Sequence, residues 1–300
     1  NDKPDVLLVH GDTTTTLAAA MAGFYAGVKV GHVEAGLRTH NMQAPYPEEF
    51  NRQVTSKIAT WHFAPTEQSR QNLISEGVPD QSIIVTGNTV IDALRWTLAR
   101  IQSDPCRADR LDKQINKLLP FDWKNNRFAI ITGHRRESFG VGIRQICEAL
   151  LELAHQFCNF QFVYPLHMNP NIREPVGNVL KNVPNIHLIE PLDSEPFIYL
   201  LQHSHLVLTD SGGIQEEAPS LGKPVLVMRD VTERPEAISA GTVELVGTNK
   251  ENIVNGVSKL IKDEVHYKKM TRSHNPYGDG NACDRIAQTL LKSNLKTGGT

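Results

Sequence analysis

The sequence lacks the short motifs by which many nucleotide-binding enzymes are identified. It contains no Gly-x-Gly-x-x-Gly fingerprint and no Walker loop, so neither a bound dinucleotide nor P-loop phosphoryl transfer is expected. It also contains no Gly-x-Ser-x-Gly elbow, the turn that carries the nucleophile of α/β-hydrolases. No group of His, Asp and Glu residues shows the spacing of a metal site. We therefore expect no metal and no other cofactor.

Cysteine, long apolar runs and clustered positive charge are scarce as well. The four cysteines are scattered without Cys-x-x-Cys spacing, which argues against a disulfide framework and a zinc site and favours a reducing cytoplasm. The net charge is -2 and there is no Lys- or Arg-rich run, so no nucleic-acid surface is expected. No apolar run is long enough to span a bilayer. These absences leave small molecules as the expected partners.

The 300 residues exceed the usual size of one domain, and strands alternate with helices along the chain. This alternation predicts an α/β fold with parallel sheets covered on both faces. Residues 1–100 are predicted to form a Rossmann-like domain that begins partway through its sheet. Residues 101–127 are polar, contain two prolines and are predicted to connect the domains. Residues 128–300 are predicted to form a second doubly wound domain, with the last helix packing back on the first.

A strand-to-helix junction in the second predicted domain is the strongest candidate for an anion site. A buried strand ends at Thr209, and Ser211, Gly212 and Gly213 follow before a helix begins. Backbone N–H groups at such a junction attract anions, and glycine lets a diphosphate approach the backbone. Ser211 can cap the helix or bind a phosphate oxygen, and Glu217 can reach a ribose. The alternative is an ordinary turn that uses these residues for its geometry.

Other polar residues also follow predicted strands. Asp12, Glu34, His134 and His167 all lie near the carboxyl ends of strands, where doubly wound folds bind their ligands, so we expect a site in a cleft between two domains. Asp12 also suits a helix cap, whereas Glu34 has no capping role. Glu48 suits either the first turn of a helix or acid–base chemistry.

Two of the cationic candidates have simpler alternatives. His134 is followed by two arginines and a glutamate, so it either donates to a phosphate or lies in a solvated charged loop. Arg234 stands between two glutamates and either reaches the cleft or pairs with them.

Seven segments occur in one order along the chain: 10–14, 31–38, 47–49, 87–90, 133–138, 210–219 and 234–236. Together they closely resemble the bacterial non-hydrolysing UDP-N-acetylglucosamine 2-epimerases of the enterobacterial type. The resemblance implies a GT-B fold of two Rossmann-like domains, a homodimer and no cofactor. It also implies reversible interconversion of UDP-N-acetylglucosamine (UDP-GlcNAc) and UDP-N-acetylmannosamine (UDP-ManNAc) for surface polysaccharide synthesis. The family route eliminates UDP to a 2-acetamidoglucal and then adds it back.

The resemblance also implies roles for individual residues. The acid–base candidates are Asp12, Glu34, Glu48 and His134. The diphosphate is held by His134, Ser211, Gly212, Gly213 and Arg234. The ribose is bound by Glu217, and the uracil lies near Leu192 and Phe197. His167 matches a position that contacts a second, activating UDP-GlcNAc molecule in some bacterial members.

This chain departs from the family pattern at its front. Family members begin with a strand and a Gly-Thr-Arg-Pro-Glu loop, and these 300 residues contain neither. We therefore expect weak or no activity and an unpaired edge at the first strand. The alternatives are a GT-B glycosyltransferase that uses a UDP-sugar, a hydrolysing 2-epimerase, and a nucleotide-sugar binding or regulatory fragment without turnover.

Overall fold

A computed structural model describes residues 3–133, 140–272 and 275–294. The chain divides into two compact units, one formed by Asn1–Ala93 with Pro276–Thr300 and the other by Leu94–Asn275. Each unit has a parallel sheet with helices. No helix among the described residues combines the length and the apolar character needed to cross a membrane.

The first unit contains a four-stranded parallel sheet in the order β1-β2-β3-β4. Its strands are β1 (Val6–His10), β2 (Lys29–Val33), β3 (Trp61–Ala64) and β4 (Ile83–Val85). Its helices are α1 (Thr14–Tyr25), α2 (Glu48–Ile58), α3 (Glu67–Ser75), the start of α4 (Thr89–Ser103) and the last helix, α13 (Ala282–Asn294). Because the strands are parallel, the loops after β1 and β2 meet at the same edge of the sheet.

The junction between β1 and α1 is fixed by two threonines. Thr13 caps α1 by accepting a hydrogen bond from the Thr16 N–H at 3.2 Å, and the Thr16 hydroxyl donates to the His10 carbonyl at 2.5 Å. The second bond ties the first turn of the helix to the end of the strand. Asp12 lies between these anchors, so its position is determined by the junction as a whole.

The second unit contains a six-stranded sheet in the order β10-β9-β8-β5-β6-β7, with every neighbouring pair parallel. Its strands are β5 (Phe128–Thr132), β6 (Gln161–Pro165), β7 (Ile186–Ile189), β8 (Leu206–Thr209), β9 (Val225–Val227) and β10 (Val243–Leu245). Its helices, besides the rest of α4, are α5 (Pro105–Asn116), α6 (Val141–Gln156), α7 (Pro170–Leu180), α8 (Ser194–His203), α9 (Ile214–Ser220), α10 (Pro235–Ser239), α11 (Lys250–Lys262) and α12 (Glu264–Arg272).

Both faces of this sheet are buried, as its strand sequences predict. Ala129 and Ile131 contribute to the core that the sheet forms with α6, α7 and α11. Phe128 and Ile130 point to the opposite face and are also fully buried. The predicted fold class, α/β with Rossmann-like units of the GT-B type, is confirmed.

The strand order places a switch point in this sheet. From β5 the chain adds β6 and β7 on one side, and it then crosses to β8, β9 and β10 on the other. The loops after β5 and β8 therefore diverge and leave a crevice at their carboxyl ends, where doubly wound sheets bind ligands.

The segment 101–127, predicted to connect two domains, is largely helical and packs within the second unit. Asp104 caps α5 and Pro105 occupies its first position. The side chains of Leu111 and Trp123 are almost fully buried there. The last helix belongs to the first unit.

Candidate active site

A pocket of about 200 Å³ lies at the carboxyl ends of β5, β6, β7 and β8, at the switch point of the second unit. It is lined by Thr132, Gly133, Pro165, His167, Pro191, Leu192, Phe197, Ser211 and Ile214. The structure thus brings together four residues chosen from the sequence, namely His167, Leu192, Phe197 and Ser211. The apolar Leu192 and Phe197 side chains stand beside polar groups, which is the usual make-up of a small-molecule site.

The turn between β8 and α9 forms one wall of this pocket. The Ser211 N–H donates to the Thr209 hydroxyl at 2.9 Å, and the Gln215 side-chain amide donates to the Ser211 carbonyl at 3.1 Å. The residue that caps α9 is Gly213, and it receives no side-chain capping bond. Of the two roles expected for Ser211, helix capping is therefore wrong, and contact with a phosphate oxygen stays a prediction.

Arg234 lies against this turn. A Cβ atom built on Gly212 would come within 2.6 Å of Arg234 Nη1, so the guanidinium occupies the space that any other side chain would need. Arg234 is only 6% exposed. Its Nε atom donates to Glu216 Oε1 and its Nη1 atom to Glu233 Oε1, both at 2.5 Å. Glu233 in turn accepts a bond from Arg229 Nη1 at 2.9 Å.

The expected pairing of Arg234 is confirmed for Glu233, one of its two flanking glutamates, and its reach into the cleft stays a prediction. The side chain pairs with glutamates, and it also reaches the glycine turn. These contacts hold the guanidinium in one orientation beside Gly212.

Glu217 follows the pocket along α9. It stands three residues after Ile214, which lines the pocket, and residues at that spacing share a helix face. Burial raises the pKa of the Glu217 carboxyl from 4.5 to about 7. The carboxyl therefore changes charge near neutral pH.

In the first unit, the loops after β1 and β2 bring Asp12 and Glu34 to the same edge of the sheet. A Cβ atom built on Gly11 would lie 3.0 Å from Glu34 Oε2, and Gly11 itself has a φ of +68°. Glu34 has a φ of 65°, an uncommon backbone conformation for a residue with a side chain. The Asn88 side-chain amide donates to Glu34 Oε1 at 3.0 Å. A functional demand on the Glu34 carboxylate would account for this strained placement.

Helix α2 carries Glu48 and also holds Asp12. Arg52 Nη2 donates to Asp12 Oδ2 at 2.7 Å, and Asn51 Nδ2 donates to the Asp12 carbonyl at 2.8 Å. Glu48 is the first residue of α2, and its Oε2 atom is buried with no hydrogen-bond partner among the described residues. The first unit therefore contains all three carboxylates chosen from the sequence as acid–base candidates.

The neighbouring Glu49, in contrast, is a structural residue. It is fully buried and accepts hydrogen bonds at 3.0 Å from the N–H groups of Thr39 and His40. Burial alone would raise the pKa of Glu49, but these bonds, together with Gln53 and Arg52, hold it below its usual value. Glu49 thus anchors the loop that precedes α2.

Sequence reasoning missed four residues that orient the candidates: Asn51, Arg52, Asn88 and Glu216. A signal existed for Arg52, because it stands four residues after Glu48 on a predicted helix and therefore shares its face. The other three, Asn51, Asn88 and Glu216, pair with residues that are distant in sequence, and no local pattern indicates these contacts. His134 lies outside the described residues.

The described residues include no cluster of three or more His, Cys, Asp or Glu side chains able to hold a metal ion. All four cysteines are free, and Cys147 is the one that is buried.

The chain is similar to the proteins of one known family. The UDP-N-acetylglucosamine 2-epimerase family model matches residues 1–291. The chain is 59% identical to the UDP-N-acetylglucosamine 2-epimerase of Yersinia pestis over 96% of its own length and 76% of the relative. It is 56% identical to the Escherichia coli K12 enzyme of that name over 98% of its length and 77% of the relative.

Two solved structures are closely similar. The Neisseria meningitidis UDP-GlcNAc 2-epimerase bound to UDP-GlcNAc superposes with a TM-score of 0.91 at 54% identity, covering 96% of this chain and 76% of that one. Staphylococcus aureus MnaA with UDP gives a TM-score of 0.89 at 43% identity, covering 97% and 76%.

Proposed function

This chain belongs to the UDP-N-acetylglucosamine 2-epimerase family, and from that premise we propose that it interconverts UDP-GlcNAc and UDP-ManNAc by inversion at C2 of the sugar. The observation that carries the proposal is the match of family and fold over nearly the whole chain, including a relative solved with UDP-GlcNAc bound. The proposal assigns nucleotide binding to the pocket at the switch point and acid–base chemistry to the three carboxylates of the first unit.

The nucleotide is proposed to bind in the second unit. Leu192 and Phe197 offer apolar surface for the uracil ring. Backbone groups at Leu192 are expected to form hydrogen bonds with the polar atoms of the ring. The turn with Ser211 and the guanidinium of Arg234 face the diphosphate. Glu217, once ionised, accepts hydrogen bonds from the ribose hydroxyls.

The chemistry is proposed to need only acid–base and electrostatic catalysis. A carboxylate removes the C2 proton, the C1–O bond breaks, and UDP leaves with the bonding electrons to give 2-acetamidoglucal. UDP then adds back to C1 while an acid delivers a proton to the opposite face of C2. The route is redox-neutral and needs no electron carrier. Asp12, Glu34 and Glu48 are the groups proposed to share the roles of base and acid.

The test is proton NMR of UDP-GlcNAc incubated with the protein in D₂O. We expect UDP-ManNAc carrying deuterium at C2, because the proton that returns comes from solvent-exchanged groups. UDP with free N-acetylmannosamine would instead indicate a hydrolysing enzyme. Sugar transfer that requires an acceptor would indicate a glycosyltransferase. UDP binding with no reaction in either direction would favour a nucleotide-sugar binding or regulatory fragment without turnover.

Four finer expectations accompany this proposal. A homodimer is supported by the family resemblance and is measured by light scattering after gel filtration. A cytoplasmic location and a role in surface polysaccharide supply follow from the same resemblance. An activating role for His167 also rests on this resemblance.

A further inference from the structure

Arg52 is a buried arginine whose charge is directed at one of the candidate acid–base groups. Its side chain is 3% exposed, and its shortest ion pair joins Nη2 to Asp12 Oδ2 at 2.7 Å. Its Nη1 atom lies 3.5 Å from Glu49 Oε2, a carboxylate that already receives bonds from two backbone N–H groups. Of these two carboxylates, Asp12 is the one that makes the shorter contact and accepts a hydrogen bond from Arg52.

Asp12 lies outside the regular elements, in the turn between β1 and α1, directly after Gly11 with its positive φ. From α2, Asn51 holds its carbonyl and Arg52 holds its carboxylate. One helix thus restrains both the main chain and the side chain of Asp12.

The same helix begins with Glu48, another candidate acid–base group. Residues four apart lie on one helix face, so Glu48 and Arg52 point from α2 in similar directions. Any rotation or shift of α2 relative to Asp12 would also move Glu48. The contacts of Asn51 and Arg52 with Asp12 join this residue to the helix that begins with Glu48.

We propose that Arg52 is a positioning residue that sets the orientation of the Asp12 carboxylate and its separation from Glu48. This inference rests on the proposed epimerase function. A reaction that removes a proton from one face of C2 and returns one to the other needs its two groups at a fixed separation.

Arg52 acts through Asp12 and not by touching the substrate. Its side chain is 3% exposed and its Nε and Nη1 atoms are buried, so a ligand has no path to them. The Asp12 side chain, in contrast, is 29% exposed and can be reached from solvent. In this ion pair Asp12 is the group that reacts, and Arg52 holds the Asp12 carboxylate in position.

The test compares Arg52→Met and Arg52→Lys with a matched control, Arg38→Met. Arg38 is an equally buried arginine of the first unit whose ion pair, with Glu76 at 2.7 Å, involves none of the candidate carboxylates. We expect kcat of Arg52→Met to fall by about 100-fold, because displacing a catalytic group by about 1 Å can slow a reaction by that factor. KM and UDP affinity should stay within about threefold of the wild type. Lysine keeps the charge but loses the fork, so Arg52→Lys should retain an intermediate kcat. Arg38→Met should lose stability and keep kcat per folded molecule.

Two further measurements separate positioning from general stabilisation. Guanidinium ion added to Arg52→Ala should restore part of kcat, whereas an equal concentration of sodium should not. Combining Arg52→Met with Asp12→Asn should reduce kcat no further than Asp12→Asn alone, because both changes remove one interaction.

Several outcomes would overturn the inference. They are an Arg52→Met kcat within threefold of wild type, an equal loss of kcat in Arg38→Met, and independent, multiplying effects of Arg52→Met and Asp12→Asn. If Arg52→Met fails to fold, Arg52→Lys with the same double-mutant comparison decides the question. A wild-type protein that neither epimerises nor exchanges the C2 proton refutes the proposed function and this inference with it. An active wild type with unaffected Arg52 variants refutes the inference alone.

Discussion

Replacing Glu217 with glutamine should make the nucleotide-free protein more stable at alkaline pH. Burial raises the pKa of this carboxyl from 4.5 to about 7, a difference of 7 − 4.5 = 2.5. At about 1.36 kcal/mol per pKa unit, ionising the buried group costs the fold about 3 kcal/mol at most. Because the side chain is partly exposed, we expect about 1 to 3 kcal/mol.

The sign of the effect follows from proton binding. The folded protein holds the Glu217 proton up to about pH 7, whereas the unfolded chain releases it near 4.5. The carboxyl therefore favours folding most strongly below pH 4.5, and this stability is lost as the pH rises through 7. Glutamine does not ionise, so the variant lacks this loss.

Thermal unfolding at pH 5 and pH 8 measures the difference. The Tm of Glu217→Gln relative to wild type should rise between these pH values by about 2 to 10 °C, given about 2 to 4 °C per kcal/mol for a unit of this size. Glu174→Gln, at an exposed position of α7, is the control and should show no such rise. Parallel pH profiles of wild type and Glu217→Gln would refute the reasoning.

The same variant tests the proposed contact with the ribose. If the ionised carboxylate accepts the ribose hydroxyls, wild-type affinity for UDP should weaken as the pH falls below 7, by up to about tenfold per pH unit. Glu217→Gln should bind UDP with an affinity independent of pH over this range. Titration calorimetry at pH 6 and pH 8 measures both, and equal pH dependence in the two proteins would exclude the ribose role.

Three other substitutions test neighbouring parts of the site. Gly212→Ala places a methyl group 2.6 Å from the buried guanidinium and should weaken UDP binding at least about tenfold by calorimetry, whereas Gly177→Ala, with nothing within 4 Å of the new atom, should leave it unchanged. Asn88→Ala removes the amide that holds Glu34 and should slow C2 deuterium exchange by about tenfold without altering UDP affinity; exchange at the wild-type rate would contradict that role. His167→Ala should remove any upward curvature in the dependence of rate on UDP-GlcNAc concentration, and an unchanged curve would count against an activating contact.

Much of the fold could be predicted because its signals are local. The run before Thr209 is apolar and β-branched, and Ser211 and two glycines follow it, so strand, turn and helix could all be placed. Parallel pairing then brought the loop residues together, because the carboxyl ends of parallel strands share one edge of the sheet. The pocket residues Leu192 and Phe197 depended on the family resemblance.

Helix α5 was not predicted because its first residue is a proline. Pro105 suggests a break in a polar stretch, yet proline at the first helical position costs nothing because its missing N–H would have no helical partner there. Asp104 before it is a good cap and accepts bonds from the N–H groups of Cys106 and Arg107. The two residues together indicate a helix start, which proline alone does not.

The contacts that orient the site could not be predicted in the same way. Asp12 and Arg52 are forty residues apart, and nothing local marks Arg52 as buried. Charged residues on a helix are ordinarily exposed, so sequence patterns assign them to the solvent face. Their burial is decided by which loops the sheet brings beside the helix.

The two buried arginines nevertheless follow one physical logic. Arg52 lies beside the loop that contains Gly11, and Arg234 lies against Gly212, in each case at the carboxyl end of a parallel strand. A buried ion pair adds little net stability, because removing two charges from water costs about as much as their attraction returns. What such a pair does supply is a strong penalty for any other arrangement, since displacing one partner leaves the other charge buried and alone. We therefore infer that these arginines are retained for the orientation they impose on the two loops. Replacing an arginine together with its carboxylate partners by apolar residues is therefore expected to be tolerated by the fold better than by the reaction.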